Sequence, residues 1–96
     1  MILDRPGAVP PRAELAVLPT PLQEAPRLAA ALGVRGRLLV KRDDLTGFAV
    51  AGNKARPLEM IIADACASGA DVLVTGGTPG SNFCQAAAAA AAWQKF

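Results

Sequence analysis

Residues 52–77 read GNKARPLEMIIADACASGADVLVTGG, and the change of pattern within them decides the fold class. Leu58, Ile61, Ile62, Ala65 and Cys66 recur at the i, i+3, i+4, i+7, i+8 spacing of one helical face. Gly69 closes that helix, and DVLVTGG (71–77), with its apolar run at 72–74, reads as a buried strand entering a glycine-rich turn. A second helix follows, from SNFCQ at 81–85 into seven consecutive alanines, Ala86–Ala92. Upstream, RLLVKRDD (37–44) predicts a strand around Leu38, Leu39 and Val40. QEAPRLAAALG (23–33) predicts a short helix with Pro26 near its start, Gly33 past its end, and Leu28 and Leu32 on its buried face. Strand, helix, strand, loop, helix is the order of a parallel α/β unit. The predicted fold is therefore α/β, a partial parallel open sheet with flanking helices.

The 96 residues suffice for one small domain; 52% are hydrophobic and 19% charged, a globular composition. A net charge of +2 with mixed signs forms no basic stripe, which argues against nucleic acid as a partner. The apolar runs are shorter than the ~18–20 residues of a membrane span. No signal-peptide core follows Met1, so a cytoplasmic protein is expected. Two cysteines, Cys66 and Cys84, lack zinc spacing and read as reduced, partly buried thiols, and no metal site is expected. The chain has no histidine, which removes Ser-His-Asp and Cys-His catalysis within it. Chemistry here must use lysine, serine, carboxylates or a cofactor.

Prolines 6, 10 and 11 with Gly7 mark residues 1–17 as an extended leader, and LPTPL (18–22) continues that path. The chain reaches Phe96 at the end of the last predicted helix, where an open sheet still needs strands and cover. Residues 18–96 are accordingly read as the incomplete N-terminal part of a longer α/β domain.

Two stretches can carry chemistry. TGGTPGSN (75–82) sits where a strand hands over to a helix, the place where α/β sheets bind ligands. Gly76, Gly77 and Gly80 permit close backbone approach, Ser81 or Asn82 can cap the helix, and its free N–H groups favour an anion. The stretch matches neither dinucleotide nor phosphate-loop fingerprints, and alone it is equally a glycine turn with an ordinary serine cap. Lys54 stands at the start of the helix pattern that begins at about Asn53 and is closed by Gly69. A lysine there usually points into water, but the helix dipole disfavours an ammonium and lowers the amine's pKa. A neutral amine is the better nucleophile toward an aldehyde, the requirement for a Schiff base. KRDD (41–44) is either a solvated strand end or a set of charges that pairs with other segments and fixes the loop leading to Lys54.

In their order and spacing, LPTPL, KRDDLTG, GNKARPLE, GADVLVTGG and SN before an alanine-rich helix resemble one group of pyridoxal-phosphate enzymes. The group is the 1-aminocyclopropane-1-carboxylate deaminase and D-cysteine desulfhydrase family, of the tryptophan-synthase-β-like fold (fold type II). The resemblance covers residues 18–92 and implies pyridoxal 5′-phosphate as cofactor and a small amino acid as substrate. It also implies a lyase or deaminase activity of the longer enzyme, and a homodimer is a candidate assembly for that form. By position, Lys54 matches the lysine that holds the cofactor as a Schiff base and moves the proton at the substrate's α-carbon. Asn82 matches the asparagine beside the cofactor's 3′ oxygen and the substrate. Ser81 matches the catalytic serine of the substrate loop, and Asn53 shapes the turn before the lysine. The phosphate cup and the partner of the pyridine nitrogen lie downstream in the resembled enzymes.

This sequence departs from the family where Ala51 replaces a glycine and Pro57 a lysine, the latter moving the expected helix start toward Arg56. Phe83, Cys84 and Gln85 replace a polar residue and an arginine, so the substrate preference is expected to differ. The competing reading is a truncated, non-catalytic remnant or interaction module that keeps the shape without the cofactor. A nucleotide-binding module around 76–82 is a third, opposed by the missing phosphate motifs and acidic ribose partner.

Overall fold

Short polar segments alternate with two longer helices along the computed structural model, which describes residues 11–96. Residues 1–10 of the expected leader lie outside the described residues. The elements are β1 (Leu22–Glu24), α1 (Pro26–Ala31), β2 (Leu39–Lys41), α2 (Ala55–Ala67) and α3 (Asn82–Gln94). Two 3-10 turns, Asp43–Leu45 and Gly52–Lys54, lie between β2 and α2. No helix among the described residues is long and apolar enough to cross a membrane.

The one sheet of the described residues is antiparallel, not parallel, pairing Leu22 with Lys41, Gln23 with Val40 and Glu24 with Leu39. Both strands are exposed at every position, so no buried face sets their register. Side chains add to the ladder instead: Arg42 Nη1 donates to Gln23 Oε1 at 2.5 Å, and Arg37 pairs with Glu24.

The predicted strand at 71–77 forms no ladder. Val72 and Val74 are 68% and 87% exposed, while Leu73 between them packs on the core. The alternation is that of a strand with one covered face, but α2 delivers the segment to the helices through Leu73 rather than alongside β2.

The α1 prediction holds in its ends and fails in its face. Pro26 is the first helical residue, and Gly33 takes φ +64° beyond the end, where Val34 N–H donates to Ala29 O. Ala29 is the buried residue; Leu28 and Leu32 are exposed. Six residues make barely two turns, and only the alanine side meets other chain. Leu28 instead borders a shallow, open concavity shared with Pro26, Val40 and Arg42.

Helix α2 begins at Ala55, one residue before the start that Pro57 suggested, and Pro57 occupies its first turn where an N–H has no intrahelical acceptor anyway. At the other end Gly69 adopts φ +69°, with Gly69 N–H to Cys66 O (3.1 Å) and Ala70 N–H to Ala65 O (3.0 Å). The buried stripe is Ala55, Leu58, Glu59 and Ile62. It is rotated from the expected face, since Ile61 is exposed and a carboxylate, Glu59, lies inside. Cys66 is exposed rather than partly buried, and Cys84 is intermediate.

Helix α3 packs on α2 through Ala86 and Ala87, and Ala90 on the same helix is also buried. Ala51, Ala55, Leu58, Ala86 and Ala87 form the core cluster, with Leu15, Ala16, Phe48, Leu73 and Phe83 packed on it. Methyl groups at the contact let the two helices approach closely.

Candidate active site

Lys54 ends the 3-10 turn that leads into α2, and its side chain is exposed. That turn packs on α3 as well as on α2, which brings the lysine-bearing backbone against the helix that starts at Asn82. The contact runs through Ala51 and Ala55 on one side and Ala86 and Ala87 on the other. Ala51, where the resembled family carries glycine, is 2% exposed, and its methyl group fills this seam. Gly52 takes φ +49°, a conformation that favours glycine, and sits over the backbone oxygen of Asp43.

The loop before Lys54 is fastened at both ends. Thr46, 1% exposed, donates its hydroxyl to Gly52 O at 2.9 Å, closing residues 46–52. On the far side, Arg56 Nε and Nη2 reach Asp43 Oδ2 and Oδ1 at 2.6 and 2.8 Å. Thr20, also buried, donates to Asp43 Oδ1 at 2.7 Å, and Arg56 Nη2 donates to the same hydroxyl at 3.1 Å. Hydrogen bonds from Arg56 and then Thr20 hold the Asp43 carboxyl well below the usual carboxylate range. Asp44 is lowered in turn by the hydrogen bond from Arg42, whose Nη2 lies 2.7 Å from Oδ2. KRDD thus pairs with other segments, as one of its two readings required.

Asp43, Arg56, Thr20 and Thr46 were not singled out from the sequence as site-building residues. The one signal for them was the opposite charges of KRDD near the GNKAR turn. Glu59 carried no signal at all. Its Oε1 accepts N–H bonds from Leu15 (3.0 Å) and Ala16 (2.9 Å), and its backbone oxygen accepts from Ala13 (2.9 Å). Residues 13–16 are thereby docked on α2. Arg12 Nε lies 3.2 Å from Glu59 Oε2, an ionic contact off the hydrogen-bonding direction, so this buried oxygen accepts no hydrogen bond among the described residues.

At the start of α3, Ser81 is the N-cap, and its Oγ accepts the Cys84 N–H at 3.3 Å. Accepting leaves the hydroxyl proton free to donate. Asn82 is the first helical residue and is exposed. The backbone N–H groups of Asn82 and Phe83 precede the first intrahelical acceptor and point out of the helix end. Phe83 is half-buried and packs on the alanine core. Gly77 is packed so tightly here that an added Cβ would stand 2.7 Å from Cys84 Sγ and 3.2 Å from Ser81. The open concavity beside α1 is lined by none of Lys54, Ser81 and Asn82, and its mainly apolar rim offers no convergent chemistry.

The structure thus places an exposed amine on a fastened turn that packs on α3 through Ala86 and Ala87, with a hydroxyl, a carboxamide and free N–H groups at the start of the same helix. The sequence pattern of the pyridoxal-phosphate dependent enzymes matches residues 13–95, and the chain belongs to that family. It is similar to the D-cysteine desulfhydrases of Salmonella paratyphi B, Salmonella newport and Salmonella heidelberg, each 49% identical over 82 residues. Those residues are 85% of this chain and 24% of each relative, so the chain spans about a quarter of the length of the curated relatives it matches.

Proposed function

We propose that this chain is the lysine-bearing N-terminal portion of a pyridoxal-phosphate-dependent lyase or deaminase acting on a small amino acid, with Lys54 as the Schiff-base lysine. The observation that carries the reading is the packing of the Lys54 turn against α3, the helix that opens with Ser81 and Asn82. Relatives named D-cysteine desulfhydrase favour β-elimination of sulfide over the ring opening of a 1-aminocyclopropane-1-carboxylate deaminase.

The donor set fits the aldehyde side of the cofactor. Lys54 would hold it through the ε-amine, and the Asn82 carboxamide would be the hydrogen-bond donor beside it. When bound, pyridoxal phosphate supplies an electron sink for the bond broken at the substrate's α-carbon. The amine of Lys54 would be the group that takes and returns the proton at the substrate's α-carbon. The Ser81 hydroxyl and the outward N–H groups of Asn82 and Phe83 receive the substrate carboxylate and fix which α-bond is aligned for cleavage.

The other two lysines are poorly placed. Lys41 Nζ donates to Thr20 O at 2.5 Å, and Lys95 caps the far end of α3 in a left-handed conformation. At ~1.5 Å per residue, Lys95 stands about 20 Å from Asn82 along the axis. Incubation with pyridoxal phosphate, borohydride reduction and peptide mapping is expected to place the pyridoxyl label on Lys54. A label concentrated on Lys41 or Lys95 overturns the assignment.

A further inference from the structure

We propose that Thr20, Asp43 and Arg56 form a positioning network that sets the reactivity of Lys54 toward an aldehyde, an inference that rests on reading Lys54 as the cofactor lysine. Arg56 follows Lys54 by two residues in the first turn of α2, so whatever orients Arg56 orients the backbone that carries the amine. Its guanidinium grips Asp43 at two points, 2.6 and 2.8 Å, which fixes an angle as well as a distance. Thr20 completes the ring, giving its hydroxyl proton to Asp43 at 2.7 Å and accepting from Arg56 at 3.1 Å. Thr20 is 4% exposed, so the ring is anchored in the protein rather than floating at its surface.

The backbone makes this grip bear on the lysine. The Asp43–Leu45 turn packs directly on the Gly52–Lys54 turn, and the hydroxyl of Thr46 ties the start of the second turn to the end of the first. Lys54 is therefore held on both sides, by Thr46 at Gly52 and by Asp43 at Arg56. Half-exposed ion pairs contribute little to folding. A misplacement of ~1 Å at a reacting group, by contrast, can cost about a hundredfold in rate. The geometry consequently bears more on where the amine stands than on whether the chain folds.

The test follows the rate at which pyridoxal phosphate condenses with Lys54, by timed borohydride quench and peptide mapping, at a temperature well below unfolding. Arg56→Lys keeps the charge and loses the two-point grip, and Thr20→Val loses the hydroxyl while keeping the shape. Each is expected to slow Lys54 labelling about tenfold with helical circular dichroism unchanged, and Thr20→Ser to restore the rate. Unchanged rates in Arg56→Lys and Thr20→Val overturn the network and leave the cofactor reading standing. Slowing that merely tracks loss of helical signal also overturns it, because a purely structural role predicts that result. Label on Lys41 or Lys95 in the unsubstituted chain removes the cofactor reading and this inference together.

Discussion

Residues 18–24 and residues 71–77 are both extended stretches next to a helix, and they are held by different means. In the first, Thr20 is buried under Asp43 and Arg56, Lys41 binds its carbonyl, and Leu22–Glu24 pair with β2. In the second, Leu73 touches the core, while Val72 and Val74 stand in solvent and no ladder bond forms. Side-chain networks close within the chain once charged and hydroxyl groups are brought together by short loops. A ladder needs a second strand, and none of the described residues provides one for 71–77, whose backbone is left to solvent. The Lys54 turn belongs to the first kind of region and the approach to Ser81 to the second.

The largest effect expected on this contrast is in the core that both regions share. Leu58 is 1% exposed between the two alanine faces, and Leu58→Ala is expected to lower stability by about 2–5 kcal/mol in urea titration. A loss below ~1 kcal/mol would mean that the α2–α3 seam is not what holds the two regions together. Glu59→Ala comes next. It strips the acceptor from the N–H groups of Leu15 and Ala16, and hydrogen bonds to charged groups are worth about 1.5–3 kcal/mol. Amide hydrogen exchange at Leu15 and Ala16 should rise to that of exposed chain in the variant. Retained protection there would show that residues 13–16 dock without the carboxylate.

Thr46→Val is a smaller change of the same kind. It keeps the side chain's shape and removes the bond to Gly52 O, for an expected cost of about 1–2 kcal/mol. The Asp43–Arg56 pair is half-exposed, and its signature lies in pH. A carboxyl whose folded pKa is depressed stabilises the fold fully above its unfolded pKa of ~3.9 and loses that contribution as pH falls toward the folded value. The difference in melting temperature between the unsubstituted chain and Asp43→Asn should thus be constant from about pH 7 to 5 and shrink below pH 4. A difference that grows on acidification contradicts the pairing.

The sequence made α3 legible because Ser81, a run of alanines and the following polar end specify a capped helix by local rules alone. The ends of α1 and α2 were legible for the same reason, through Pro26, Gly33 and Gly69. Lys54, Ser81 and Asn82 stood out as chemistry at element boundaries, and the turn that carries the lysine packs on α3 through small residues. What local rules could not reveal was long-range. The pairing of β1 with β2, the rotation of α2 toward Glu59 and the burial of Thr20 depend on contacts between residues 15–44 positions apart, for which periodicity carries no signal. The expected parallel strand at 71–77 had the right alternation and lacked a neighbour, and alternation reports only which side is covered.

Within that segment the comparison can be made on adjacent residues. Leu73 is half-buried against the core and Val74 is 87% exposed, so Leu73→Ala is expected to cost about 1–2 kcal/mol and Val74→Ala less than ~0.5 kcal/mol. The pair separates two ways in which the segment can be held. If 71–77 is held only by its inward leucine, the valine change is silent at every protein concentration. If its outer face and open edge are covered by a second copy of the chain, Val74→Ala lowers the urea midpoint, and the loss deepens as concentration rises and the covered state is populated. Equal midpoints for Val74→Ala and the unsubstituted chain across a hundredfold range of concentration are the expected result. They would leave the polar ring at Thr20 and the leucine at 73 as the two distinct ways in which this chain secures an extended stretch.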